Sequence, residues 1–378
     1  MTALQHRAPP RWGDRRGSRV LVRGLHLDVP LLAALVLLSL MSLVILYSSS
    51  SRNMDVVLGQ LMRLGLAFTV MFILAQIPMH HVERWVPWLY GVALTLLFGV
   101  LLFGEIGKGA QRWLDVGLFR FQPSEMMKLA VPLMVSWYLA DRPLPPGVRH
   151  LSIAALIITV PVLLIAKQPD LGTALLIAAA GVFVLLLAGV RWKYVALLSL
   201  VVSACAPLLW YTLHDYQRMR VLTFLDPERD PLGSGYHIIQ SKIAIGSGGV
   251  YGKGWLNGTQ SHLEFLPERS TDFIFAVFGE EFGFIGILFL LGIYTFIVIR
   301  GLYIATQAQD TFTRLVAGSL ILTFFVYTFV NTGMVTGLLP VVGVPLPLIS
   351  FGGTSMVTLM ASFGIIMSIH THRKLLST

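Results

Sequence analysis

Residues Val29–Ser48 read VPLLAALVLLSLMSLVILYS, twenty positions without a charge. At about 1.5 Å of rise per residue, a helix of this length is about 30 Å long, the thickness of the hydrocarbon core of a bilayer. Outward from this run the pattern repeats. Apolar stretches occupy 57–77, 85–104, 123–140, 151–167, 171–190, 194–213, 273–299, 315–338 and 353–369, giving ten expected spans. They should be helices, because backbone groups in lipid must be satisfied within the segment.

The composition of the 378 residues agrees. Hydrophobic residues make up 55% and DEKR only 12%, with a mean hydropathy of +0.75. A soluble domain carries about 25% charged residues. The net charge of +9 does not point to nucleic acid, because the basic residues sit in loops between apolar runs. The single cysteine, Cys205, excludes an intramolecular disulfide, and no Cys/His cluster has zinc spacing.

The fold class expected is an all-α polytopic membrane protein of about ten helices. A basic segment 1–28 precedes one transmembrane domain, 29–370, and a short tail, 371–378, follows. Loops on the N-terminal side hold most of the short-loop charge, including Arg84, Arg142, Arg149, Arg191, Lys193, Arg300 and Arg314. The positive-inside rule therefore expects both termini in the cytoplasm and the long 214–272 segment outside. Within that segment Tyr236–Ile245 suits a short interfacial helix. The run Gly246–Gly254 (GSGGVYGKG) fails the phosphate-loop template at Ser247 and Gly254 and reads as a turn.

Charges in or beside spans each need a reason, since insertion costs roughly 2.5–3.5 kcal/mol apiece. Glu125 and Lys128 are three apart and share a helix face. They are either a self-neutralising pair or the lining of a polar cavity. Asp170, after Pro169, suits a helix N-cap. Arg63 either pairs with an acid or snorkels, and Glu280 and Glu281 are expected to be structural, with Lys128 or Arg63 as partners. Asp272, just before the eighth span, is either an N-cap or a carboxylate at the outer surface beside Glu268 and Arg269, able to act as a general base. Leu338–Ser355 (LLPVVGVPLPLISFGGTS) has three prolines and is too apolar for a solvated loop. It should be a broken element that lines a cavity or packs on protein.

Six stretches carry a resemblance: Gly109–Trp113 (GAQRW), Gln122–Lys128 (QPSEMMK), Gln168–Ala174 (QPDLGTA), Gly235–Trp255, Leu266–Glu281 (LPERSTDFIFAVFGEE) and Pro347–Ser355 (PLISFGGTS). Over residues 25–370 the chain resembles the SEDS family (shape, elongation, division, sporulation) of bacterial cell-wall polymerases. The wording Gly333–Pro347 is similar to its rod-shape branch. Met126, Met127 and Phe351 depart mildly from the usual pattern.

The resemblance implies an inverting peptidoglycan glycosyltransferase of the inner membrane that polymerises lipid II for cell elongation. It implies Asp272 as the catalytic residue, with Glu125, Lys128 and Trp113 at the substrate. Arg218, Arg220 and Lys242 are further candidates to meet the leaving pyrophosphate, alone or with a divalent cation (Mg or Mn), although the sequence shows no dedicated metal site. A class B penicillin-binding transpeptidase is the partner implied. Two rivals stand beside this reading: a lipid II flippase, and a scaffold that only positions a synthase.

Overall fold

The structure is a computed structural model that describes residues 26–107, 110–115, 120–197, 200, 203–204, 211, 218–219, 222–224, 226, 234–262 and 268–372. Among these, nine long helices fall on nine of the expected spans: α1 Val29–Ser49, α2 Met54–Gln76, α3 Met79–Phe103, α4 Pro123–Ala140, α5 Val148–Lys167, α6 Leu171–Leu187, α9 Ile274–Thr306, α10 Thr311–Thr336 and α11 Thr354–Thr371. Seven of them are long and apolar enough to cross a membrane. α4 carries a charged pair and two prolines, and α6 is one residue under the length threshold. Helical residues 192–197 open the expected seventh span, most of which lies outside the described residues.

Two shorter helices, α7 Ser234–Gly248 and α8 Thr259–His262, come from the long loop. The loop between α3 and α4 adds a small antiparallel sheet of β1 Glu105–Gly107, β2 Ala110–Asp115 and β3 Arg120–Phe121, in that order. α7 is the helix expected over Tyr236–Ile245; it packs on α9 and α10.

The helix starts follow from local chemistry. Asp28 caps α1 by accepting from the Leu31 amide at 3.0 Å. The same carboxylate accepts from Arg300 Nε (3.1 Å) and Nη2 (2.6 Å) on α9 and meets His370 Nδ1 on α11 at 2.8 Å. Burial opposes its charge, but the bonds from His370, Arg300 and the Leu31 amide prevail and hold the carboxyl well below its usual range. Three helix ends are thus tied at one carboxylate.

The chain between α10 and α11 is the broken element the prolines require. Its carbonyls have no helical partners, and buried side chains from four helices supply them. Asn331 on α10 donates to Val344 O (2.7 Å), Tyr294 on α9 to Pro347 O (2.6 Å), Ser42 on α1 to Ile349 O (2.9 Å) and Gln60 on α2 to Ser350 O (3.2 Å). This irregular stretch lies on protein, as membrane depth demands.

The glycine-rich run 246–254 wraps the N-terminal part of α9. Lys253 N and Gly254 N donate to Glu280 O and Glu281 O at 3.0 Å each, and Phe284 N and Ile285 N donate back to Gly249 O and Val250 O. α9 breaks its helical path at Gly283 (φ 65°, ψ −166°) to allow this exchange, where any Cβ would collide with the main chain of Tyr251 and Gly252. The turn expected over 246–254 is found at 249–254, while Gly246–Gly248 end α7, and the glycines at 249, 252 and 254 serve backbone-to-backbone contact.

Candidate active site

Asp272 sits at the mouth of α9, half-buried. The N-cap position of α9 is held by Phe273, and no side chain caps it. The capping alternative for Asp272 is therefore not what the fold uses. The turn before it is fixed to the broken element: Ser350 Oγ donates to Thr271 O (2.5 Å) and Phe351 N to Ser270 O (2.8 Å). Asn331 Nδ2 donates to the carbonyl of Asp272 at 3.0 Å. The carboxylate lies against Gly343, where an added Cβ would be 3.5 Å from Oδ2; Gly343 takes φ 77°, a conformation that suits glycine. The two charged neighbours expected beside Asp272 both make hydrogen bonds to other residues. Arg269 donates to Ser51 Oγ at 2.9 Å, and Glu268 accepts from Thr271 Oγ1 at 2.7 Å.

The broken element continues from Asp272 to α6. Gly172, in the first turn of α6, faces Val342, whose Cγ1 would be 2.8 Å from an added Cβ, and Val344 lies 3.7 Å from the same point. Asp170 caps that helix, accepting from Thr173 N at 3.3 Å, as expected. It also accepts from Gln122 Nε2 at 3.1 Å and lies 3.7 Å from Arg112 Nη1. Arg112 on β2 further donates to Gln168 O (3.4 Å) and Pro169 O. The small sheet, α4 and α6 therefore meet at one aspartate. Trp113, the next residue of β2, is half-buried and pairs in register with Glu105.

Glu125 and Lys128 form a buried pair on α4, Nζ to Oε1 2.5 Å. The ammonium lies 5.3 Å from the ring centroid of Tyr327 on α10. Tyr327 and Asn331 are four apart on the same helix, so the face that receives Lys128 is the face that holds Asp272. Leu176 of α6 and Val344 complete the apolar contact around Tyr327. Motifs distant in sequence thus converge at one end of the bundle.

Other candidates fall differently. Lys242 on α7 is exposed and lies over Gly337, the left-handed C-cap of α10 (φ 75°). Arg218 Nη2 donates to Tyr211 O at 2.7 Å, and Arg220 lies outside the described residues. The partners expected for the two glutamates of α9 are corrected. Glu280 accepts from Lys253 Nζ (2.6 Å), Thr259 Oγ1 (3.0 Å) and the Gln260 amide (3.1 Å), and Glu281 accepts from Ser48 Oγ. Arg63 instead lies over the Phe351 ring at 4.1 Å. The reason is geometric: the glycine-rich run, distant in the pattern of spans, folds back onto this stretch of α9. Arg112, Tyr327 and Asn331 were not singled out from sequence. An asparagine within an apolar span was the signal available for the last.

Comparison with known proteins supplies relatives. The family model of the FtsW, RodA and SpoVE cell cycle proteins matches residues 26–375. The peptidoglycan glycosyltransferase MrdB of Escherichia coli K12 is 54% identical over 353 residues, covering 93% of this chain and 95% of that one. MrdB of Helicobacter pylori J99 is 35% identical, covering 92% and 91%. A chain solved in a study of structural coordination of polymerization and crosslinking by a peptidoglycan synthase complex superposes with TM-score 0.81 at 32% identity, over 92% of this chain and 99% of that one. The rod shape determining protein RodA of Thermus thermophilus superposes with TM-score 0.71 at 27% identity, over 93% and 100%.

Proposed function

The chain belongs to the FtsW, RodA and SpoVE family of cell cycle proteins, and on that premise we propose that it works as a peptidoglycan glycosyltransferase of cell elongation that polymerises lipid II. The observation that carries the mechanism is the junction at Asp272. This half-buried carboxylate is not used as a helix cap, its main chain is gripped by α10, and one turn away the same face of α10 receives Lys128 of the buried Glu125–Lys128 pair on α4.

In the reaction, Asp272 takes the proton from the 4-hydroxyl of the acceptor sugar. The oxygen attacks the anomeric carbon of the donor disaccharide from the face opposite its pyrophosphate. The bond from that carbon to the undecaprenyl pyrophosphate oxygen breaks, and the α linkage becomes β-1,4. Negative charge grows on the departing pyrophosphate and needs cations placed in advance. Lys128, Lys242, Arg218 and Arg220 are the side chains of this chain proposed for that role, with or without a divalent ion. Trp113 and Glu125 complete the substrate contacts. The loop charges favour an outward-facing site with both termini in the cytoplasm. A class B penicillin-binding transpeptidase is the partner that fits a polymerase whose structural relative comes from a synthase complex.

Asp272→Asn tests the reading. The amide keeps size but cannot accept the proton, and loss of a general base costs roughly 100- to 10,000-fold. The variant should accumulate normally, and the purified full chain in detergent should polymerise lipid II that much more slowly. A wild-type rate from Asp272→Asn would remove the catalytic role from this residue. Loss of lipid II translocation with polymerisation intact would favour a flippase.

A further inference from the structure

We propose that Asn331 is the positioning residue that sets the carboxylate of Asp272, and that its two amide hydrogens are what the site requires. The inference rests on the reading of Asp272 as the general base and deepens it.

Asn331 is fully buried near the C-terminal end of an apolar helix, where a carboxamide is costly unless its donors are used. Both are used, and on different segments: Nδ2 donates to Asp272 O at 3.0 Å and to Val344 O at 2.7 Å. The amide orientation follows from its neighbours, since two carbonyl oxygens can be met only by the nitrogen. Oδ1 is left without a hydrogen-bond partner among the described residues, so the donors alone dictate the pose.

The two carbonyls belong to the two chains that meet at the carboxylate. One is that of Asp272 itself. The other follows Gly343, the residue against which Asp272 Oδ2 lies. Asn331 thus clamps the residue that bears the base to the segment that forms its wall. No other residue of this size offers two donors on one atom: aspartate offers none when ionised, serine one, leucine none.

The remaining ties act on neighbouring residues. Ser350 Oγ and Phe351 N hold Thr271 O and Ser270 O, and Tyr294, Ser42 and Gln60 hold the broken element elsewhere. Removing the amide of Asn331 therefore leaves the segments docked and frees the one residue that does chemistry. A base displaced by about 1 Å loses on the order of 100-fold in rate while binding is kept.

The test compares Asn331→Ala and Asn331→Ser with Asp272→Asn, using the purified full chain in detergent, lipid II as substrate, and rates normalised to monodisperse folded protein. Asn331→Ala should lower kcat on the order of 100-fold and leave KM for lipid II within about threefold. Asn331→Ser, which keeps one donor, should fall between it and the wild type. The inference is overturned by a wild-type kcat in either variant, by a KM that rises as far as kcat falls, or by failure of both variants to accumulate as folded protein, which would make Asn331 a folding residue. Asp272→Asn keeps the two readings apart. If it is inactive while Asn331→Ala is fully active, only the positioning role fails. If it is itself fully active, the general-base reading fails first.

Discussion

Two lysine–glutamate pairs lie inside the described residues, and they are built differently. In the pair of Lys253 and Glu280, one carboxylate oxygen takes three donors, from the ammonium, Thr259 and the Gln260 amide, and these link the turn after α7 with α8 and α9. In the pair of Lys128 and Glu125, the corresponding oxygen takes only the ammonium. Each glutamate leaves its second oxygen without a hydrogen-bond partner among the described residues, so the contrast lies in the first. Lys128 also borders a cavity of about 20 Å³ with Thr323, Tyr327, Ser355, Thr358 and Ser362 around it. The hydroxyls of Thr323, Thr358 and Ser362 already donate to their own helices, so they meet the cavity as acceptors. A charge enclosed by donors holds a fold together. A charge with one hydrogen-bonded partner and a small cavity beside it is available to something else.

That contrast breaks if the two pairs respond alike to mutation. The largest effect should come from Glu280→Ala, which leaves Lys253 without its carboxylate and two further donors, Thr259 and the Gln260 amide, without their acceptor. Breaking a buried pair costs about 3–5 kcal/mol, so the thermal midpoint in detergent should fall steeply while turnover per folded molecule stays near wild type. An unchanged midpoint would deny the pair its structural role.

Next in size is the double variant Glu125→Gln with Lys128→Met. Each single change strands a buried charge and should reduce accumulation; the double change removes both charges and should restore it. If the pair serves the substrate, the restored protein polymerises lipid II at least about tenfold more slowly, the loss expected where a charged contact to the transition state is gone. A fully active double variant would reduce the pair to a device for insertion.

The smallest effect sharpens the comparison. Gly343→Ala and Gly254→Ala both place a side chain at positive φ, 77° and 93°, at a cost of about 1 kcal/mol each. Beside Asp272 the change should slow polymerisation a few-fold. Beside the Glu280 network it should lower only the thermal midpoint. Equal losses of rate in both would erase the distinction between the two sites.

Much of this was legible in the sequence because the bilayer imposes a simple rule. The fourth span, 123–140, coincides with α4, since Pro123 starts the helix and Asp141 follows its end. α9 runs to Thr306, seven residues past the apolar run, because Arg300 is held at its buried end by Asp28 and the helix continues into polar sequence. The small sheet of the α3–α4 loop was not legible; its strands are two to six residues long and carry no alternation. The partners of Glu280 and Glu281 were missed for a different reason. Those of Glu280 are set by main-chain exchange between segments some thirty residues apart and that of Glu281 by Ser48 on α1, neither of which a pattern of hydropathy encodes. Asp272 and the Glu125–Lys128 pair stood out as charges at apolar boundaries, whereas Asn331 carries no charge and announces itself only by what it touches.

The break at Gly283 has a mechanical consequence. A continuous helix of 33 residues is a stiff rod of about 50 Å, and a push at Arg300 would arrive at Asp272 undiminished. The non-helical residue divides that rod into a short N-terminal lever and a long C-terminal one, and the short lever is riveted through main chain to residues 249–254. Motion of the long lever, where Asp28 and His370 take hold, is absorbed at the joint. The end that bears Asp272 can thus stay still while neighbouring helices jostle the rest of the molecule.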